Sequence, residues 1–344
     1  MTLSRSTLRA LGVALLTAAS WLICRAQQPV VQPSPLQPRV IRSWGNDEMR
    51  SIMAAWQQAF RRAHPEVTFQ NTLLGSGSGM AGIITGTSDL SLMGRRATVN
   101  EIKGFEWVFR YKPLGIEVMT GGLQGEGKSA ALAVFVSASN PIRQITMAQL
   151  ADILDCPSNE NITPIWALAG VTGPRAVHPV HAYIPAMSTN TGAFLQEAVQ
   201  GDGDCWNWNV VKEFSDVCPQ CDRNGAASQT NAGQQIVAAL KSDPDGLAIS
   251  TLDHAAPGIK TLPVASTGGP AVALSHEALI AGSYPLTRRL YIYINRRKDK
   301  AVDPMLKEFL RFILSQEGQA LIPPNSSYLP LSSANQILQL EKLE

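Results

Sequence analysis

The sequence predicts an α/β protein of two lobes, and three observations carry that expectation. Apolar strand-like runs alternate with helices that have one apolar face; roughly 300 residues follow a Pro- and Gln-rich segment, more than a single core usually holds; and polar, glycine-rich turns follow the strands. In open α/β sheets such turns lie where ligands bind.

The N-terminus indicates export. Arg5 and Arg9 precede an apolar run, Ala10 to Ile23, and then Cys24-Arg25-Ala26, a small-x-Ala pattern for signal peptidase. The run is short for a membrane span, so residues 1–26 are expected to be a cleaved signal peptide and 27–38 a disordered tether. Cleavage removes Arg5, Arg9 and Arg25 and no acid, taking the formal charge from +2 to −1. A near-neutral protein has no electrostatic reason to bind nucleic acid or an acidic membrane. Without Cys24, four cysteines remain: Cys156, Cys205, Cys218 and Cys221. An even number in an exported chain favours disulfides, with three pairings open. The CPQC at Cys218 lies in a polar loop without βαβ context, which argues against a redox motif, and one close pair is too few for tetrahedral zinc.

The first strand, Arg39 to Trp44, runs into Gly45-Asn46-Asp47-Glu48. A helix with apolar positions Met49, Ile52, Met53, Trp56, Phe60 and Ala63 follows and ends at His64-Pro65. Val67 to Leu73 is the next strand. Its outflow, GSGSGMAG, leads from Ser76, Gly77 and Ser78 into a short helix, and a further strand carries Asp89. Freed amides, hydroxyls and the positive end of a helix dipole converge there, which is how a protein holds a small anion without a metal. The same letters fit the dinucleotide fingerprint GxGxxG, but the helix before Gly86 is too short for a parallel crossover. A nucleophile elbow is excluded by phase, because Gly77 stands at the serine position.

Ala131 to Val136 is a strand, and Thr146 with Gln149 forms a capping box for a helix ending near Leu154. A third donor-rich turn, Ser188-Thr189-Asn190-Thr191-Gly192, opens a helix through Ala193, Phe194, Leu195, Ala198 and Val199. A helix from about Asn231 to Lys241 precedes Gly246 to Thr251, a buried strand that returns the chain to the first lobe. Asp303 caps the last long helix, with Pro304 at its first position and Leu306, Phe309, Leu310 and Ile313 inside.

The remaining polar residues read as structural. His178 and His181 sit in a strand-like segment and do not share a helix face, as a metal pair would. Arg288-Arg289 and Arg296-Arg297-Lys298 read as solvated charges at the ends of a strand from Leu290 to Asn295, and Trp206 and Trp208 as packing near Cys205. No nucleophile stands beside a base at a recognisable spacing, so an enzyme is not expected, nor any cofactor or metal.

The ordered segments GNDEM, GSGSG, GTSDLSLMGR, LAVFVSASNPI, STNTGAF, SDPDGLAIS and YPLTRRLYIYIN, followed by DPMLKEFLRFILSQEGQALI, resemble the phosphate-binding component of bacterial phosphate ABC importers, from roughly Val40 to Leu331. The resemblance implies a type 2 periplasmic binding protein: each lobe a mixed sheet flanked by helices, with the ligand cleft between lobes. It implies lobe I as 39–125 plus 252–344 and lobe II as 126–251, a monomer in the periplasm, and the permease subunits of the inner membrane as partners. Carried over residue by residue, the ligand contacts are Asn46, Asp47 and Glu48, then Ser76 and Gly77, then Gly94 and Arg95, then Thr189, Asn190 and Thr191. Two positions depart from the family pattern. Glu48 replaces a hydroxyl residue, and Pro185 replaces an arginine that clamps the anion, so Arg95 or Arg96 is expected to supply the missing charge. A buried dianion needs such compensation, since desolvation costs several kcal/mol per ion.

Overall fold

The computed structural model describes residues 39–125, 129–157, 163–201, 203, 205–216, 231–323 and 327–344. The expected signal peptide, the tether, Cys218 and Cys221 lie outside the described residues.

Two mixed sheets organise the chain. The first has six strands: β1 (Arg39–Gly45), β2 (Val67–Thr72), β3 (Leu90–Met93), β4 (Leu114–Gly121), β13 (Arg289–Ile294) and β14 (Tyr328–Leu329), in the order β14-β4-β13-β3-β1-β2. β1 and β3 are parallel, with Trp44 opposite Ser91, whereas β13 runs antiparallel to both β3 and β4. The second sheet has five strands: β5 (Leu132–Ser137), β7 (His181–Pro185), β8 (Val211–Phe214), β9 (Gly246–Thr251) and β10 (Ile259–Leu262), in the order β10-β5-β9-β7-β8. β7 is parallel to β8 and β9, and β5 antiparallel to β9 and β10. A small third sheet joins β6 (Ile145–Thr146), β11 (Val264–Ala265) and β12 (Ala271–Val272).

Each sheet packs on helices whose apolar faces are legible as 3.6-residue stripes. On the first, α1 (Arg50–Ala63) buries Ile52, Met53, Trp56 and Phe60, and α8 (Pro304–Leu314) buries Phe309, Leu310 and Ile313. The Trp56 indole donates to the Gly318 carbonyl at 2.8 Å, so this large side chain is both packed and satisfied. Truncating it to alanine would cost about 3–5 kcal/mol. A separate core holds Val134, Leu150, Ile153, Trp166, Ile184, Leu195 and Trp206 together with Tyr284 and Leu286. Its helices are α4 (Met147–Leu154), with the capping box of Thr146 and Gln149, and α5 (Asn190–Gln200).

Several boundaries shift by a residue or so from the sequence expectation. β5 begins at Leu132, and Asn231 is the cap of α6 (Ala232–Lys241), accepting from the Gly233 amide at 2.7 Å. Of the open cysteine pairings, Cys156 bonds Cys205, with Cα atoms 5.7 Å apart. Trp206 beside it is packed as expected, whereas Trp208, expected to pack with it, is exposed. Among the described residues no helix is long and apolar enough to cross a membrane.

Candidate functional site

The strands of the first sheet deliver their turns to one place. Gly45, at the end of β1, has φ +132°, and a Cβ there would stand 2.1 Å from the Leu92 carbonyl oxygen, so only glycine lets β1 run this close to β3. The Asn46 amide then donates to the same carbonyl at 2.8 Å. The Asn46 side chain turns back to accept from the Glu48 amide at 2.9 Å, capping the short turn Asp47–Met49. Its amide nitrogen faces the Ser129 hydroxyl at 3.4 Å, and Ser129 donates a short hydrogen bond to the Glu48 carboxylate.

Gly94, just after β3, is the junction. Its amide donates to the Ser76 hydroxyl at 3.0 Å, at the first residue of α2 (Ser76–Thr85). Its carbonyl accepts from Arg288 at 3.0 Å (Nη2) and 3.3 Å (Nε). A Cβ on Gly94 would meet Asn46 Nδ2 at 2.1 Å and Ser129 Oγ at 2.5 Å. Ser78 is spent locally, donating to the Gly75 carbonyl at 2.8 Å.

Arg288 corrects the sequence reading most sharply. Expected as a solvated charge beside β13, it is completely buried. Besides holding Gly94, its Nη1 donates to the Thr191 hydroxyl at 3.1 Å, and its guanidinium lies 5.5 Å from the Phe194 ring. Burial lowers its pKa, while the Glu48 carboxylate and the Tyr328 phenol favour the charged form and Arg95 opposes it. Among the described residues no carboxylate pairs with it directly; its partners are a carbonyl and a hydroxyl. Arg289 is the outer member of the pair and bridges Glu117 at 2.8 Å.

Thr191 belongs to the opening turn of α5, where Thr189 caps the helix by accepting from the Gly192 amide at 3.0 Å. Thus Ser76 and Thr191, 115 positions apart by their numbers, are joined through Gly94 and Arg288. A cavity of about 280 Å³ adjoins this junction, lined by Glu48, Thr189, Asn190 and Thr191 among others. Of the remaining expected contacts, Asp47 and Gly77 are exposed at the turns that flank it.

The two arginines expected to compensate for Pro185 are engaged elsewhere. Arg95 is buried in a two-pronged pair with Glu101 of the helix that follows it, α3 (Val99–Phe109), at 2.7 and 3.0 Å, and Arg96 is exposed with Glu197 at 3.7 Å. Sequence reasoning also missed Ser129 and Tyr328, whose hydroxyl donates to the Glu48 carbonyl at 3.1 Å. The available signal for Arg288 was its place immediately before an unbroken apolar strand, where a solvated charge is hard to accommodate. His178 and His181 each face their own carboxylate, Asp245 at 2.9 Å and Asp243 at 2.6 Å. Among the described residues no group of three His, Cys, Asp or Glu is placed to hold a metal.

A pair of mixed sheets with helix N-termini and a buried arginine meeting beside a cavity defines a two-lobed α/β binding protein. Residues 32–317 match the PBP superfamily domain, and the chain belongs to that superfamily. It is 28% identical over 296 residues to the phosphate-binding protein PstS of Pseudomonas aeruginosa, covering 85% of this chain and 83% of that one. In fold it is similar to an ABC-type phosphate transport receptor from Vibrio cholerae, with TM-score 0.53, 16% identity and 85% and 99% of the two chains covered. PstS from Borrelia burgdorferi is similar to the same degree, with TM-score 0.53, 15% identity and 86% and 100% covered.

Proposed function

We propose that this protein is a periplasmic solute-binding protein that captures phosphate or a related oxyanion and presents it to the permease of an ABC importer. The observation that carries the reading is Arg288: a guanidinium shut away from water with no direct carboxylate partner among the described residues is a standing electrostatic demand for an anion. Around it lie the Ser76 and Thr191 hydroxyls and the first turns of α2 and α5, whose leading amides have no partner within their own helices. Arg288 takes the part that Pro185 cannot, from a different point in the chain.

The ligand contacts in this reading are Asn46, Asp47, Glu48, Ser76, Gly77, Gly94, Thr189, Asn190 and Thr191, with Arg288 as the charged anchor. Arg95, paired to Glu101, adds positive field without a direct bond. Glu48, an acceptor-only group when ionised, takes the proton of a protonated oxyanion, which favours phosphate and arsenate over sulfate. Lobe I comprises 39–125 and the return from β13 onward; lobe II comprises 126–251, extended by β10, whose pairing with β5 supports the extension. The protein works as a monomer, exported by removal of residues 1–26, and lobe closure over the anion is the signal to the permease. The relatives that support this reading are by name a phosphate-binding protein and an ABC-type phosphate transport receptor, and no enzyme activity is assigned.

Thermal unfolding of the mature protein tests it. A ligand bound only by the folded state raises the melting temperature by mass action, so millimolar phosphate should do so and sulfate should do less. A melting temperature indifferent to phosphate, arsenate, sulfate and molybdate alike would end the proposal.

A further inference from the structure

The cavity beside the junction is larger than the anion needs. A tetrahedral oxyanion occupies the room of two or three waters, about 60–90 Å³, whereas the cavity measures about 280 Å³. Its walls are also the wrong kind for a second anion. Pro185, Phe214 and Ile236 supply apolar surface, Glu48 and Asp216 supply two carboxylates, Ser250, Thr251 and His254 add polar groups, and among the described lining residues there is no Arg or Lys. Asp216 is held in place, one carboxylate oxygen accepting from the Ala232 amide at 2.8 Å. It thereby already occupies the positive end of α6, which is not left to attract an anion.

Resting on the oxyanion reading above, we infer that the preferred ligand is a phosphoryl compound carrying a short arm that ends in an ammonium group. The phosphoryl group sits at Arg288, Ser76 and Thr191. The arm runs past Thr191 between Pro185 and Ile236, and the ammonium faces Asp216, while Glu48 stays with the phosphoryl proton. Proline in β7 serves this arrangement twice: it removes the arginine that would repel the ammonium, and it presents a flat apolar face to the arm. Both a phosphonate and a phosphate monoester provide this chemistry.

Titration calorimetry on the mature protein decides the matter with five probes: inorganic phosphate, ethylphosphonate, 2-aminoethylphosphonate, ethyl phosphate and O-phosphoethanolamine. The two amino compounds should bind at least tenfold tighter than their ethyl counterparts and than phosphate, and the tighter of the two identifies the source as phosphonate or ester. Asp216→Asn should bring each amino-to-ethyl affinity ratio to within about threefold of unity. Ile236→Trp, which fills the arm space, should weaken the amino compounds relative to phosphate at least tenfold. If phosphate binds as tightly as the amino compounds, the arm is refuted and the oxyanion receptor stands. Equal binding of amino and ethyl compounds refutes the ammonium contact. Absence of binding by all five, phosphate included, refutes the receptor itself.

Discussion

Arg288 donates to the Thr191 hydroxyl at 3.1 Å, tying the loop before β13 to the first turn of α5. The same guanidinium holds the Gly94 carbonyl, so one side chain links the end of β3 in the six-stranded sheet to a helix that packs on the five-stranded one. An anion bound beside this charge would draw both toward a common centre.

Replacing Arg288 by lysine keeps the charge and loses the fork. Hydrogen bonds to charged groups contribute about 1.5–3 kcal/mol, so Arg288→Lys should weaken phosphate roughly 10- to 150-fold by calorimetry. Unchanged affinity would remove Arg288 from the site.

Gly94→Ala tests the crowding at the junction. The new methyl would meet Asn46 and Ser129, both buried and neither able to swing away, at a cost of about 1–3 kcal/mol of overpacking. The melting temperature should fall, and the phosphate-dependent rise should vanish with it.

In the proposed site, Glu48 is the residue that would set the choice among anions. In the wild type sulfate, which carries no proton at neutral pH, meets the carboxylate charge to charge. Glu48→Gln should therefore narrow the phosphate-to-sulfate affinity ratio by tenfold or more, read from competition titrations. A ratio unmoved by the substitution would show that the carboxylate does not face the anion.

Asp243 shapes the acid limb of stability. Burial alone would raise its pKa, but hydrogen bonds from His181, Tyr183 and the Asp245 amide prevail and lower it. A carboxylate with a depressed pKa in the folded state contributes stability that is present above its unfolded value, about 3.9, and is lost as pH falls through the folded one. Urea unfolding at stepped pH should show this loss below about pH 4, and Asp243→Asn should flatten it while costing about 1 kcal/mol at neutral pH. The Tyr183 phenol, pushed up to about 12 by burial and by Asp243, stays protonated throughout.

The Cys156–Cys205 bond closes a loop with a sequence separation of 49 residues. Chain entropy assigns such a closure about 4 kcal/mol, of which real disulfides deliver part. Cys156→Ser with Cys205→Ser should lower stability by about 2–4 kcal/mol in denaturant unfolding. No change would show that the loop is already held by packing around Trp206.

Local features were legible because local physics decides them. The apolar stripes of α1 and α8, the Thr146–Gln149 capping box, the Thr189 and Asp303 caps and the strand–turn–helix at Ser76 all depend on residues within a turn or two of one another. The α/β class and the donor-rich turns at Asn46, Ser76 and Thr189 follow from those patterns alone. Which charge meets those turns was decided only by the tertiary structure. Arg288 and Arg95 look alike as letters in the chain; burial between the sheets makes one an anchor, and a pair with Glu101 occupies the other. Ser129 and Tyr328 reach Glu48 from positions 81 and 280 residues away. Sequence periodicity reports which face of an element is buried, but what that face meets depends on how distant elements pack, and the electrostatics of a crevice follow from that packing.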